Sequence, residues 1–413
     1  MILFYRLFLV MYAIAIRMVA LVSPKAKKWI AGRRNWRIQL QSFRNNHQEQ
    51  KLVWMHCASL GEFEQGRPVL EALRGIYPDH LFMLTFFSPS GYEIRKNYPG
   101  ADFVMYLPLD SSKNARDFVE IANPTLAIFV KYEFWHFYLK NLCQRHIATL
   151  LVSGIFRSSQ PFFQSWGGFH RNMLNCFHTI FVQDQDSAEL LKKTGIDAKT
   201  IISGDTRFDR VIDIASKTEE LSFSQFLSKK CLVAGSTWKE DEILLADWHR
   251  DNPDWQLVIV PHEIHATRIE EIHQIFPGAI NYSSLQNGKF PTSIQVLVID
   301  QIGLLSRLYR YGAICYVGGG FSGNGHHNIL EAAVYGKAVV TGPNYQKFRE
   351  SVELKKIGGS FAIRNADELK ALTSGEERIS KAGYLSREYV LSKAGATESI
   401  LSYIQEKRLL TNA

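Results

Sequence analysis

The chain has 413 residues, 46% hydrophobic and 21% charged, enough for two domains with separate cores, and this excludes a disordered or low-complexity protein. Its formal net charge is +8, yet nine cations precede the first acidic residue, Glu49, and leave about −1 for everything after them. A near-neutral body argues against nucleic acid as a partner, because nucleic-acid enzymes spread positive charge over their folded surface.

The N-terminal arm opens with an unbroken apolar run at 7–16, extended past Arg17 by 18–22. Arg6 and Arg17 are 11 residues apart, which at ~100° per residue places them on one face of a helix. Lys25, Lys27, Lys28, Arg33 and Arg34 follow Pro24. This pattern fits a helix in or dipping into a membrane, with the cations on anionic headgroups. Residues 1–48 are therefore expected to form a membrane-anchoring arm that meets an anionic membrane surface through residues 1–44. Ala13-Ile14-Ala15 mimics a signal-peptide cleavage site, but the cations just downstream oppose translocation and favour a cytoplasmic location.

From residue 49 to 212 the pattern is α/β. Short apolar runs at 52–57, 80–87, 103–106, 126–129, 148–153 and 179–182 read as strands, and helical segments separate most of them. After a polar stretch at 213–230 a second series follows at 231–234, 256–260, 296–299, 314–317 and 338–340. Alternating strands and helices imply mainly parallel, doubly wound sheets. The natural architecture is two Rossmann-like domains, 49–212 and 213–385, facing a cleft, with ligands at the carboxyl ends of the strands. Residues 386–413, with a helix over 386–407, are expected to cross back to the first domain. Five scattered cysteines without a C-x-x-C pair argue against a disulfide framework or a zinc site.

The chemistry-bearing residues fall at those carboxyl ends. Ser59-Leu60-Gly61-Glu62 follows the first strand. Glu62 is either a general base or a helix N-terminal glutamate that favours the dipole, and Glu133 in Lys131-Tyr132-Glu133 carries the same ambiguity. Gly235-Ser236-Thr237 reads as a turn before a helix, suited to a phosphate or an N-cap, and His262 ends the next strand. The strand at 314–317 runs into five glycines within 318–325, then His327, Asn328 and a helical pattern at 329–334. Glycine lets backbone amides approach an anion, and a helix N-terminus favours negative charge. Gly318, Gly319 and Asn328 then suit a phosphate, and Glu331 suits ribose hydroxyls. The alternative is a tight strand-to-helix connection.

Taken in order, Ser59-Leu60-Gly61-Glu62, Ser88-Pro89-Ser90-Gly91, Glu133-Phe134-Trp135, Gly204-Asp205-Thr206-Arg207-Phe208-Asp209, Ala234-Gly235-Ser236-Thr237-Trp238, Gly318-Gly319 and His327-Asn328-Ile329-Leu330-Glu331 resemble the bacterial 3-deoxy-D-manno-octulosonic acid (Kdo) transferases, glycosyltransferases of GT-B type. The resemblance spans nearly the whole chain. It implies inverting transfer of Kdo from CMP-Kdo to the glucosamine disaccharide of a lipid A precursor, at the cytoplasmic face of the inner membrane, with no metal or other cofactor. Glu62 would be the general base. Arg207, Ser236, Thr237, His262, Gly318, Gly319, Asn328, Ile329, Leu330 and Glu331 would bind CMP-Kdo. Ser88, Ser90, Gly91, Glu133 and Arg157 would serve the acceptor or the sugar carboxylate. The chain departs from the family pattern at Lys131, at Ser153-Gly154-Ile155, at His262 and at Ala332. Two other readings are a GT-B enzyme using another nucleotide sugar, such as a UDP-sugar, and a non-catalytic membrane-surface binding protein.

Overall fold

The computed structural model describes the chain except residues 197–198, 218–219, 222–223, 225–226, 228–229, 286–293, 324 and 412–413. It divides into two compact units, Met1–Arg210 with Ala394–Ala413, and Val211–Lys393.

The first unit is built on β1 (Leu52–Cys57), β2 (Leu81–Phe86), β3 (Phe103–Tyr106), β4 (Leu126–Val130), β5 (Ala148–Gly154), β6 (Thr179–Val182) and β7 (Thr200–Ile202). They form one parallel sheet in the order β3-β2-β1-β4-β5-β6-β7. Helices cover both faces, so β1 is buried along its whole length and reads as a nearly continuous apolar run. Strand order reverses between β1 and β4, and this switch point opens the crevice at their carboxyl ends.

The second unit repeats the plan with β8 (Cys231–Thr237), β9 (Gln256–Pro261), β10 (Ile280–Asn281), β11 (Val296–Val298), β12 (Ile314–Val317), β13 (Ala338–Thr341) and β14 (Ser360–Ala362), ordered β10-β11-β9-β8-β12-β13-β14. Its switch point lies between β8 and β12. Three strands were not expected from the sequence: β7, β10 and β14. All are sheet edges of two or three residues, too short for periodicity to register.

Two expected segments differ. The polar stretch at 213–230 begins inside a helix, Thr206–Ser216, and part of it lies outside the described residues. The single helix expected over 386–407 is two, Glu376–Ser392 and Ala396–Glu406. The break falls at Gly395, whose φ of 106° is open to glycine at little cost. The Asp209 carboxylate fixes it by accepting from the amides of Gly395 (2.7 Å) and Thr397 (2.6 Å). Ile400, Leu401 and Ile404 then bury against the first unit, in one cluster with Leu70 and Leu73 of the helix Leu60–Ile76.

The arm forms three helices, Ile2–Val19, Pro24–Ala31 and Trp36–Asn45. The first is long and apolar enough to cross a membrane by length and composition. One edge of it docks on the first unit: Leu9 is buried, and the Tyr5 hydroxyl donates to Asp110 at 2.5 Å while its ring meets Phe137 and Phe169. Elsewhere Leu3, Phe4, Leu7, Phe8, Met11 and Met18 are exposed. One arm cation is not available to headgroups. Arg33 is half-buried and donates to the carbonyls of Leu107, Trp29 and Phe87 at 2.7–2.9 Å, with its guanidinium 3.7 Å from the Trp29 ring centroid. It ties the arm to the ends of β2 and β3.

Candidate active site

At the first switch point β1 ends at Cys57, and Ser59, in extended conformation, caps the helix Leu60–Ile76. Ser59 and Glu62 form a capping box in which the Ser59 amide donates to Glu62 Oε2 at 3.1 Å. The structural role is therefore present, but it does not exhaust the residue. Burial first, and then the negative field of Glu133, push the Glu62 carboxyl up to about 7; the amides of Ala58 and Ser59 and the Lys131 cation pull the other way. A carboxylate that titrates near neutrality can accept a proton at working pH.

Glu133 reaches the same place from the end of β4. Lys131 turns the chain there with a left-handed φ of 65°, unusual for a side chain with a Cβ. Glu133 is 7% exposed. Its Oε2 accepts from Trp135 Nε1 at 2.7 Å and lies 2.9 Å from His56 Nε2. His56 is held from its other side by the Thr85 hydroxyl, 2.9 Å from Nδ1. The structure thus brings Glu62 and Glu133 together, and fixes Glu133 through His56. Sequence reasoning passed over His56, although a histidine inside the apolar strand LVWMHC, two residues before the loop, was a usable signal.

The other first-unit candidates divide. Arg157 is exposed beyond β5, and Tyr132 lies within electrostatic reach of both Arg157 and Glu62, so Arg157 belongs to this end of the sheet. The Ser88 and Ser90 hydroxyls bond each other at 2.5 Å before the helix Pro89–Arg95. Gly91 is a packing residue: a Cβ there would lie 2.2 Å from the Phe86 ring. Arg207 is already paired with Asp205, Nε to Oδ2 at 2.9 Å and Nη2 to Oδ2 at 2.7 Å. Its neighbours are occupied as well. The Thr206 hydroxyl donates to the Gln65 carbonyl, and Asp209 caps the Ala396–Glu406 helix. The Gly204–Asp209 motif is a hub of the first unit.

At the second switch point several expectations change. Gly235-Ser236-Thr237 is the end of β8 and not a free turn; the helix begins at Lys239, and its N-cap is Trp238. Thr237 donates its hydroxyl to buried Glu242 at 2.8 Å, and Ser236 bends the strand end with φ 53°. The glycine amides are spent internally. Gly318 donates to the Gly235 carbonyl and Gly319 to Asp241 Oδ2, both at 2.9 Å. A Cβ on Gly318 would lie 2.4 Å from the Ser236 oxygen. Here glycine lets β8 and β12 close on each other, so the reading as a phosphate cradle does not hold for these two amides. The organiser is Asp241, 1% exposed, which accepts from Gly319, from the Trp238 amide (2.9 Å) and from the Tyr316 hydroxyl (2.6 Å). Burial raises its carboxyl. As the third residue of its helix, Asp241 accepts from the amide of the N-cap Trp238, the one half of a capping box that a tryptophan N-cap allows.

The helix expected at 329–334 is a single turn, Leu330–Ala333, which weakens the dipole argument for a phosphate cap. Ile329 and Leu330 side chains are fully buried, and the Leu330 amide donates to Asn328 Oδ1 at 3.1 Å. Asn328 Nδ2 in turn donates to Glu331 Oε1 at 3.1 Å, so these two polar candidates do come together. His262 stacks between Trp238 (centroids 4.8 Å) and His327 (4.3 Å), and Trp238 Nε1 donates to His327 Nε2 at 3.3 Å. Burial, then the neighbouring His262 and His326, push His327 down to about 4, so its ring is neutral at physiological pH. Among the described residues no group of three or more His, Cys, Asp and Glu is placed to hold a metal ion.

Two all-parallel seven-stranded sheets, each with polar side chains at a switch point, define a two-domain α/β protein of GT-B type. The same fold is seen in the UDP-GlcNAc 2-epimerase of Neisseria meningitidis, at TM-score 0.60 and 16% identity, over 86% of this chain and all of that one. Residues 34–210 match the family model described as 3-deoxy-D-manno-octulosonic-acid transferase (kdotransferase). The chain is 29% identical over 325 residues to the 3-deoxy-D-manno-octulosonic acid transferase of Aquifex aeolicus, covering 77% of this chain and 83% of that one. It is 25% identical over 379 residues to a bifunctional glycosyltransferase/methyltransferase of Fusobacterium nucleatum, covering 88% of this chain and 56% of that protein. These matches support a Kdo transferase, and hence a glycosyltransferase, the family that the ordered motifs resemble.

Proposed function

We propose that the protein transfers Kdo from CMP-Kdo, with inversion, to a hydroxyl of the glucosamine disaccharide of a lipid A precursor at the cytoplasmic face of the inner membrane. The observation that carries this reading is the placement of Glu62, capping the helix after β1, beside Glu133, held by His56 and Trp135 after β4; burial and then Glu133 push the Glu62 carboxyl up to about 7. Glu62 takes the acceptor hydroxyl's proton as that oxygen bonds to the anomeric carbon. The bond from that carbon to the phosphate oxygen breaks, and CMP leaves with its electron pair. The second unit offers Asn328 and Glu331 for the nucleotide, and Ser236 and His262 near the end of β8 for the phosphate. Arg157, exposed at the end of β5, is the cation assigned to the Kdo carboxylate or the phosphate, since a guanidinium matches either bidentately, whereas the Arg207 fork is spent on Asp205. The reading assigns no metal or other cofactor to the protein.

The arm supports an amphiphilic acceptor. An exposed apolar helix face next to cations suits attachment to an anionic bilayer, and Arg33 is removed from that set because it is structural. The test is mass spectrometry of a tetraacyl lipid A precursor after incubation with the purified protein and CMP-Kdo, with CMP and UDP compared as competitors. A product heavier by one or more Kdo residues, suppressed by CMP and not by UDP, is expected. No product, or suppression by UDP alone, removes the reading.

A further inference from the structure

Along the docked edge of the Ile2–Val19 helix runs a groove that the transfer reaction does not use. Its first part, about 490 Å³, has walls of Leu9, Val10, Ala13, Ile14, Leu109 and Phe137. Its second part, about 500 Å³, shares Ala13, Arg17 and Leu109 with the first, and adds Arg34, Trp36 and Asn114. One continuous surface is therefore apolar at one end and cationic at the other. Arg17 and Arg34 are exposed, and neither has an ion-pair partner among the described residues. Asp110 and Arg6 also border the apolar part. The Asp110 carboxylate is occupied by Tyr5 and by the amides of Phe137 and Tyr138, and Arg6 leans over the Phe137 ring. Arg6 and Arg17 are separated by about 16 Å of helix at ~1.5 Å per residue, a length on the scale of one acyl chain.

We propose that this groove holds one anionic phospholipid of the bilayer, with an acyl chain on the Leu9-Ala13-Leu109 floor and its phosphate between Arg17 and Arg34. The inference rests on the membrane-anchoring reading of the arm and adds a discrete site to it. An apolar floor beside two cations complements an amphiphile with one phosphate, and a free phosphate would leave the apolar part unfilled. A phospholipid fits better than the glycolipid acceptor because packed side chains stand between the groove and the catalytic carboxylates. From the groove wall, Trp29 packs on Phe87, Phe87 on Trp135, and Trp135 bonds Glu133.

The experiment uses the full-length protein in mild detergent with phosphatidylglycerol or phosphatidylcholine as the probe. Retained lipid is read by native mass spectrometry, and sedimentation with phosphatidylglycerol vesicles is measured in parallel. One retained phosphatidylglycerol and little phosphatidylcholine are expected. Ala13→Phe, which fills the groove without changing charge, should cut retention at least tenfold while vesicle sedimentation persists. The surface double variant Arg17→Gln/Arg34→Gln should cut retention as much, and it keeps the test open if Ala13→Phe does not fold. Equal retention of phosphatidylcholine, or full retention by both variants, overturns the proposal. Displacement of phosphatidylglycerol by an equimolar tetraacyl lipid A precursor assigns the groove to the acceptor and overturns it too. Retention without sedimentation upholds the groove and removes bilayer anchoring; sedimentation without retention removes the groove alone.

Discussion

The two switch points share a topology and differ in what they do with their polar groups. At the end of β1 and β4 the chain sets a half-buried carboxylate, Glu62, beside a buried one, Glu133, and the Glu62 carboxyl is pushed up to about 7. At the end of β8 and β12 it buries Asp241 and Glu242, and satisfies the first with two amides and a hydroxyl and the second with the Thr237 hydroxyl and the Arg268 guanidinium. Burial first, and then like charge from Glu133, makes Glu62 in the first site a group that holds or releases a proton near neutrality. Full satisfaction in the second fixes Gly319 and Trp238, and the His262 ring stacks on Trp238. The comparison teaches that a glycine-rich strand end is not by itself an anion site; the amides have to be counted first.

The sharpest way to break this contrast is Glu62→Gln. The variant keeps the capping acceptor for Ser59 and loses the proposed base. Turnover should fall about 10²–10⁴-fold, while CMP affinity and melting temperature change little. Normal turnover would return Glu62 to a purely structural role and leave Glu133 as the next candidate.

Next in size is a test of the second site's close packing. Gly318→Ala sets a methyl against the Ser236 oxygen and Asp241 and should destabilise by about 1–3 kcal/mol. Gly61→Ala, with nothing within 4 Å of the added carbon, should stay within about 0.5 kcal/mol. Denaturant unfolding of the two variants side by side checks the pair, and equal losses would end the distinction.

Glu331→Ala should weaken CMP binding by about 1–3 kcal/mol, the cost of losing a charged hydrogen bond. Calorimetry on a folded variant with unchanged affinity would remove Glu331 from the nucleotide site.

The smallest expected effect is on pH dependence. The base form of Glu62 grows as pH rises through about 7, so turnover should climb there. Glu133→Gln removes the neighbouring negative field and should move that rise to lower pH. Stability runs the opposite way. Between the ordinary glutamate range and about 7 the folded state binds more protons at Glu62 than the unfolded chain, so this contribution is lost as pH rises through the window. Unfolding curves across the window should show that slope flatten in Glu62→Gln.

Much of the architecture was legible because fully buried parallel strands are plain apolar runs: β1, β6 and β12 fall where the runs do. The edge strands β7, β10 and β14 were not legible, since two or three residues carry no period. At the site, Glu62 and Glu133 could be read from their place after strands. The ring stack could not, because Trp238, His262 and His327 come from three separate segments. Gly318 and Gly319 were misread for a physical reason: sequence shows that an amide can approach something, and only coordinates show that it already has. Arg33 misled likewise, since a cation in a basic arm gives no sign that three carbonyls enclose it.

The helix Ala396–Glu406 has a consequence for the order in which the protein is made. It lies in the first unit, yet it is translated after all of the second. Until Ile400, Leu401 and Ile404 leave the ribosome, the face of the Leu60–Ile76 helix that they cover stays open to water. The first unit cannot finish its core during its own synthesis, and the second, contiguous from Val211 to Lys393, is complete before it. Folding on the ribosome would then reverse the usual N-terminal-first sequence for its last step, with a surface for chaperones exposed throughout that interval.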